Sequence, residues 1–269
     1  MLLLTLIMGC SADPVGTCEE FGAPTEAGTV ESAAVTEASG LVSSGRHPGV
    51  LWTHNDSGDT ARLHAIDTTG ASAGTLTISG AIPVDWEDIA RDGSTLYVGD
   101  IGDNDRTRTE LAIWRVEEPE TLSDDGSTGG SRMLLTYPTG AHDAEALFHH
   151  GDTLWILTKD AEGAGLYAVD PTLDEQEATL LDVISLPPEV PDGDTITGAD
   201  SDGGRLLVRT ESSVLVYDLG DDVPDALASA PCIQPAPDEA DGESIAALDG
   251  GYATLSEGER PTLWITEAS

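Results

Sequence analysis

The chain is short of positive charge. Its 269 residues hold 11 Lys plus Arg against 50 Asp plus Glu, a formal net charge of −39, and Lys159 is the only lysine. A surface this acidic repels phosphate backbones, which argues against nucleic acid as a partner and disfavours electrostatic attachment to anionic membranes. No apolar run reaches the ~20 residues that a spanning helix needs. Cysteine is scarce as well: Cys10, Cys18 and Cys232 show no C-x-x-C spacing, so no redox or zinc motif is indicated. H-E-x-x-H, a P-loop and a G-x-G-x-x-G after a strand are all missing. What remains is a chain with 39% hydrophobic residues, 30 glycines and β-branched runs between its acids. That composition describes a folded domain with a sizeable core and a solvated, salt-tolerant surface.

Leu2 to Met8 form a short apolar run ahead of Gly9 and Cys10. The stretch Ile7-Met8-Gly9-Cys10 resembles the lipobox of bacterial lipoproteins. The resemblance implies cleavage before Cys10, a lipid on its sulfur and export to a bacterial membrane. Residues 1–9 are then a signal peptide. Residues 10–28 carry Pro14, Gly16, Gly22, Pro24 and Gly28 without periodicity and read as a tether, leaving 29–269 as the folded domain. In a disulfide-permissive compartment the two remaining cysteines, Cys18 and Cys232, can pair.

The rest of the chain repeats. Segments beginning at Ser39, Glu87, Glu145, Gly198 and Glu243 are offset by 48, 58, 53 and 45 residues. Each offers an apolar strand, a turn, a second strand and a third. The second strands align at Leu51-Trp52, Leu96-Tyr97, Leu154-Trp155 and Leu206-Leu207, and the third strands carry Trp114, Tyr167, Tyr217 and Trp264. Period-2 alternation marks these runs as strands. Turns such as Asp92-Gly93 and His150-Gly151-Asp152 supply hairpin chemistry. A period of this length with three or four strands per unit predicts an all-β fold, a β-propeller of five blades. Thr29 to Thr36 is expected to complete the last blade as an N-terminal closing strand. Six blades is the alternative, if Glu117 to Ser131 hides further strands.

In such a fold the starts of first strands and the ends of second strands share one rim. The starts carry Ser39, Glu87, Glu145, Thr197 and Glu243. The second-strand ends carry His54, Asn55, Asp56, Asp100, Asp103, Asn104, Lys159, Arg209 and Glu257. Polar groups that converge this way mark a binding site. Crowded carboxylates spread, protonate or capture a cation, and oxygen donors suit Ca²⁺. The expected cation ligands are Glu87, Glu145, Glu243, Asn55 and Asp100, with Asp103, Asn104 and Arg209 available to a ligand. His54, beside Asp56, and Lys159 are the candidates for acid–base chemistry.

The stretches WTHNDSGD, DWEDIA and YVGDIGDN resemble a group of secreted bacterial β-propeller lipoproteins of no assigned activity. More distantly the chain is similar to gluconolactonase/regucalcin-type and esterase-like phytase propellers. The resemblance implies a divalent cation, commonly Ca²⁺, in the central channel, with Glu87 as a carboxylate ligand and Asn55 or Asn104 as an amide ligand. Two functions follow as expectations. One is a lipid-anchored module that presents an acidic, calcium-loaded face to a small molecule or a protein. The other is a calcium-dependent hydrolase of a phosphoester, ester or lactone.

Overall fold

The computed structural model describes residues 21–160, 162–239 and 241–269. Cys10 and Cys18, with the expected signal peptide and most of the tether, lie outside the described residues. No helix among the described residues is long and apolar enough to cross a membrane.

The chain is built from antiparallel meanders. A first short strand, β1 (Thr25–Thr29), precedes them. The first meander is β2 (Ala38–Ser43), β3 (Val50–Asn55), β4 (Arg62–Asp67) and β5 (Ser72–Ser79); the second is β6 (Trp86–Asp92), β7 (Thr95–Asp100), β8 (Leu111–Glu117) and β9 (Gly126–Thr136). The third is β10 (Ala144–His150), β11 (Thr153–Thr158) and β12 (Ala164–Val169), with β13 (Glu175–Glu177) leaving to pair with β9 before β14 (Thr179–Ile184) completes it. The fourth is β15 (Ile196–Ser201), β16 (Arg205–Thr210) and β17 (Ser213–Asp218), then a one-turn helix α1 (Val223–Leu227) and β18 (Cys232–Pro235). The last is β19 (Gly242–Leu248), β20 (Gly251–Ser256) and β21 (Thr262–Glu267), to which β1 adds as the outermost strand.

The leading strands β2, β6, β10, β15 and β19 touch in chain order, and β19 returns to β2. Their inner residues are buried throughout, as in β2 and β10, because each is covered on both sides by neighbouring meanders. Cores lie between the meanders: Trp52, Ile89 and Trp114 form part of one, and Phe148, Leu166 and Leu215 part of another. The turns use the residues expected of them. Gly93, Gly151 and Gly203 adopt φ of 57°, 62° and 84°, where a side chain would be strained.

Two expectations change. The strand that closes the last sheet is Thr25–Thr29, four residues earlier than Thr29 to Thr36. Val30 and Val35 are fully buried, but in an irregular segment that packs beside Ala38 and Leu41 instead of extending along β21. The fold therefore begins within the supposed tether: Phe21 bridges to Ala268, and the Gly22 N–H donates to the Glu267 carbonyl at 2.9 Å. In addition, part of Glu117 to Ser131 is indeed strand. It is the first half of β9, and residues Gly126–Gly129 pair in parallel with Leu76–Ser79 of β5.

Candidate functional site

Every leading strand has an irregular register against its second strand near its start. The shifts fall between Ala38 and Leu41, Trp86 and Asp88, Ala144 and Ala146, Ile196 and Gly198, and Gly242 and Ser244. The residues left out of the ladder include Ser39, Glu87, Glu145, Thr197 and Glu243. A bulge breaks the strict alternation of faces and re-aims the extra residue. Here it delivers five equivalent side chains of the repeat to one rim of the axis. The two hydroxyls are used to join strands: Ser39 Oγ donates to the Glu87 carbonyl at 2.6 Å, and Thr197 Oγ1 to the Gly242 carbonyl at 2.9 Å. The three glutamates are left for other work.

Glu87 is the hub. Its carboxylate has an oxygen within 4.8 Å of one from Asp56 and one from Asp85, and the same holds for Asp143 and Glu145. Glu87 and Glu145 are both buried, at 4% exposure. The Lys159 ammonium donates to Glu145 Oε1 at 3.1 Å. Buried oxygens of Asp56 (Oδ1) and Glu243 (Oε2) have no hydrogen-bond partner. Gly102 makes room for the cluster, since a Cβ there would overlap Glu87 Oε1 and the Asp85 carboxylate.

The charges answer one another. Burial pushes the Glu87 carboxyl well above the usual range, and Glu145, Asp56, Asp85 and Asp143 add to it. Burial raises Glu145 too, against the pull of Lys159, to about 7. Glu243 reaches about 8 through burial and the charge of Glu145, and Asp85 about 6 through burial and Asp56. Burial works against the Lys159 ammonium, but Glu145, Glu243 and Glu87 outweigh it and hold the amine protonated. The rim holds more carboxylates than one lysine can neutralise, so it resists full ionisation unless a cation arrives.

The other expected residues are placed differently. The Asn55 amide oxygen accepts from Thr36 and Glu37 N–H groups, and its nitrogen donates to the Ala34 carbonyl and Asp59. It pins the segment before β2. Asp100 is taken by the Val84 and Asp85 N–H groups and by Arg108 at 2.7 Å. Asp103 accepts from Thr107 and Arg108 N–H groups, and Asn104 stands exposed on the same loop. Arg209 is fully buried and paired with Glu239, with its Nε and Nη1 unpartnered. His54 is fully buried edge-on to Trp86, its Nδ1 bonded to the Asn55 carbonyl. Burial lowers its pKa to about 4, so it is neutral at physiological pH and belongs to the packing.

Two buried acids sit deeper in the channel: Asp88, which the spacing places beside Glu87 at its strand start, and Asp200, which had no sequence signal of its own. Asp88 accepts from the N–H groups of Ile89 (2.8 Å), Leu147 (2.8 Å) and Ala199 (3.1 Å), tying β6 to β10 and β15. Asp200 accepts from Ser201 and from Ala247 of β19, both at 2.8 Å. Asp56, Asp85 and Asp143 complete the rim. Asp143, expected on this rim with His142 and Glu145, follows His142 directly before β10.

No family model matches the chain, and no curated protein matches it. Among solved structures it superposes on glutaminyl cyclase of Myxococcus xanthus with a TM-score of 0.56 and 16% identity, over 91% of this chain and 97% of that one. The PQQ-bound aldose sugar dehydrogenase of Streptomyces coelicolor gives 0.50 and 13%, over 92% and 98%. A chain of the nidogen/laminin complex gives 0.50 and 12%, over 82% and 73%. At these identities the likeness concerns the fold, which is all-β and of the β-propeller kind.

Proposed function

We propose that the protein is a five-bladed β-propeller, held outside the cytoplasm by a lipid on Cys10, whose acidic rim binds a hard divalent cation and through it docks a small molecule or a protein. The blade count rests on the cyclic contacts of β2, β6, β10, β15 and β19, with β5 and β9 taken as a seam between two blades. The cation reading rests on one observation above all: two carboxylate triads share the buried Glu87. Glu87 and Glu145 are the central ligands, with Asp56, Asp85 and Asp143 around them and Glu243 adjacent. Oxygen donors in this number suit Ca²⁺, which takes about 6–8, or Mg²⁺ with more of its water retained. Asn55 and Asp100 drop out of the ligand set, since their polar atoms are already engaged by backbone and Arg108.

The test is thermal unfolding with CaCl₂ against NaCl at matched ionic strength. A bound ion stabilises by about 2.7 kcal/mol at a hundred times its dissociation constant. Glu87→Gln should remove most of the calcium advantage. Equal effects of the two salts would leave a solvated acidic rim and nothing more.

The protons of Glu145 and Glu243, which titrate at about 7 and 8, favour a second reading. Carboxyl groups poised near neutrality can donate and accept protons in hydrolysis or acyl transfer. Calcium-dependent turnover of phosphoesters, esters, lactones or an N-terminal glutaminyl peptide would favour this enzyme reading; no turnover in that panel removes it.

A Cys18–Cys232 bridge is part of the proposal. Phe21, three residues after Cys18, packs in the cluster that Cys232 borders. Alkylation of both thiols in exported protein without reductant would exclude the bridge.

A further inference from the structure

The opposite mouth of the axial channel is a groove of about 880 Å³, within the size of small-molecule sites. Its floor is made by the far ends of leading strands, through Ser43 of β2, Arg91 of β6, Ser201 of β15 and Ala247 of β19. Val50, Leu51 and Leu248 give it apolar walls.

Among the described residues Arg91 is one of three arginines without an ion pair, with Arg132 and Arg260, and the one of the three that lines this groove. Seven of the ten arginines pair with a carboxylate: Arg46, Arg62, Arg106, Arg108, Arg115, Arg205 and Arg209. Arg91 does not, although the chain has 50 acidic residues to offer. Its Nη1 donates to the Gly93 carbonyl at 3.3 Å and its Nη2 to Ser43 Oγ at 3.4 Å, both long. Its Nε is buried without a partner. A Cβ on Gly45 would stand 3.1 Å from Nη1, so the glycine leaves room for the guanidinium.

The remaining charges of the groove do not fill this gap. Asp202 is closed on Arg205 by two contacts of 2.9 and 2.7 Å. Asp249 is exposed at the lip. Asp200, under the floor, spends its oxygens on the Ser201 and Ala247 N–H groups and makes no hydrogen bond to Arg91.

We infer that this mouth binds a small organic carboxylate, with its anionic group on the Arg91 fork and the Ser43 hydroxyl and its apolar body against Val50, Leu51 and Leu248. A guanidinium fork matches a planar carboxylate through paired N–H donors. One arginine without an ion pair in this groove, on a chain of net charge −39, suits one negative charge and disfavours a phosphate dianion. The site is on the face away from Glu87 and does not depend on the cation.

The probes are phenylacetate and its neutral counterpart phenylacetamide, titrated by calorimetry into the full chain, with inorganic phosphate as a bare anion. Phenylacetate should bind about tenfold or more tighter than the amide, the scale of one charge-assisted hydrogen bond. Arg91→Gln should erase that difference, and Arg91→Lys should keep part of it. A second measurement needs no variant: phenylacetate should slow phenylglyoxal modification of Arg91, mapped by mass spectrometry, and leave the exposed Arg132 unaffected. Equal binding of acid and amide, phosphate binding as tightly as phenylacetate, an undiminished difference in Arg91→Gln, or no protection of Arg91 would each overturn the inference. So would the lack of saturation by phenylacetate at ~10 mM, beyond which a specific site is not meaningful.

Discussion

Glu87 and Glu145 occupy the same bulge position in successive leading strands, and their carboxyl groups come together at the rim, with Lys159 bonded to Glu145 Oε1 at 3.1 Å. Two carboxyl groups this close share a proton or a cation. The chain's only lysine is therefore a tethered substitute for part of the charge a metal would bring. Lys159→Gln should lower the stability of the metal-free protein by about 1 kcal/mol, toward the small end for a broken ion pair because the amine is partly solvated. It should also strengthen calcium binding several-fold, since a competing positive charge is gone. Calorimetric titration of both proteins measures this; unchanged or weaker calcium binding in the variant would show that Lys159 does not compete for the site.

Asp88 is a mechanical part of the channel. Its carboxylate holds three backbone N–H groups from three strands. In Asp88→Asn one oxygen becomes an NH₂ group, which faces N–H donors and cannot accept from them. The loss should be about 3 kcal/mol, the cost of leaving one or two buried donors unsatisfied. A urea denaturation midpoint within error of the wild type would show that these strands are held together by packing alone.

The repeat, the strand order and the five rim positions were legible in the sequence because a propeller unit places its first-strand start at a fixed phase. Ser39, Glu87, Glu145, Thr197 and Glu243 share that phase, and the structure turns each of them out of the ladder. What the spacing could not tell was which polar groups remain free. Asn55, Asp100 and Asp103 lie at the ends of second strands or in the loops after them, where backbone N–H groups have no ladder partner, and their oxygens are consumed there. Asp85 was hidden because it precedes its strand and belongs to the rim only through the path of the chain around Gly102. β1 was mislocated for a related reason. Thr25–Thr29 is largely exposed, contains Gly28 and carries a bulge, so it shows no apolar alternation, whereas Val30 and Val35 looked like strand and are buried loop.

Gly102 offers a test that touches no ligand. In Gly102→Ala the new methyl group would displace Glu87 Oε1 and the Asp85 carboxylate. Both are ends of side chains that can move, so the fold should lose about 1 kcal/mol. Calcium affinity should fall at least tenfold, because the shared donor of both triads is pushed off position. A variant that melts lower yet binds calcium as before would separate Gly102 from the site.

The rim also fixes how stability depends on pH. Glu145 and Glu243 are raised from an ordinary 4.5 to about 7 and about 8, and burial is the first cause in both. Between those limits the folded state binds more protons than the unfolded chain. Stability must then fall as pH rises, since its slope follows the protons bound by the unfolded state minus those bound by the folded one. The contribution is fully present below about pH 4.5 and is lost through pH 7 to 8 as the two groups ionise. Other groups impose their own slopes, so the comparison is with Glu243→Gln, whose amide does not titrate. In the absence of divalent ions the wild type should lose more stability than the variant between pH 6 and pH 8.5. With calcium present the sign at the rim reverses, because the ionised carboxylates are the form that binds the metal. Calcium should therefore stabilise the wild type more at pH 8.5 than at pH 6. Melting curves at the two pH values, with EDTA and with calcium, read both effects. A calcium gain independent of pH would mean that the ion binds without releasing protons from Glu145 or Glu243.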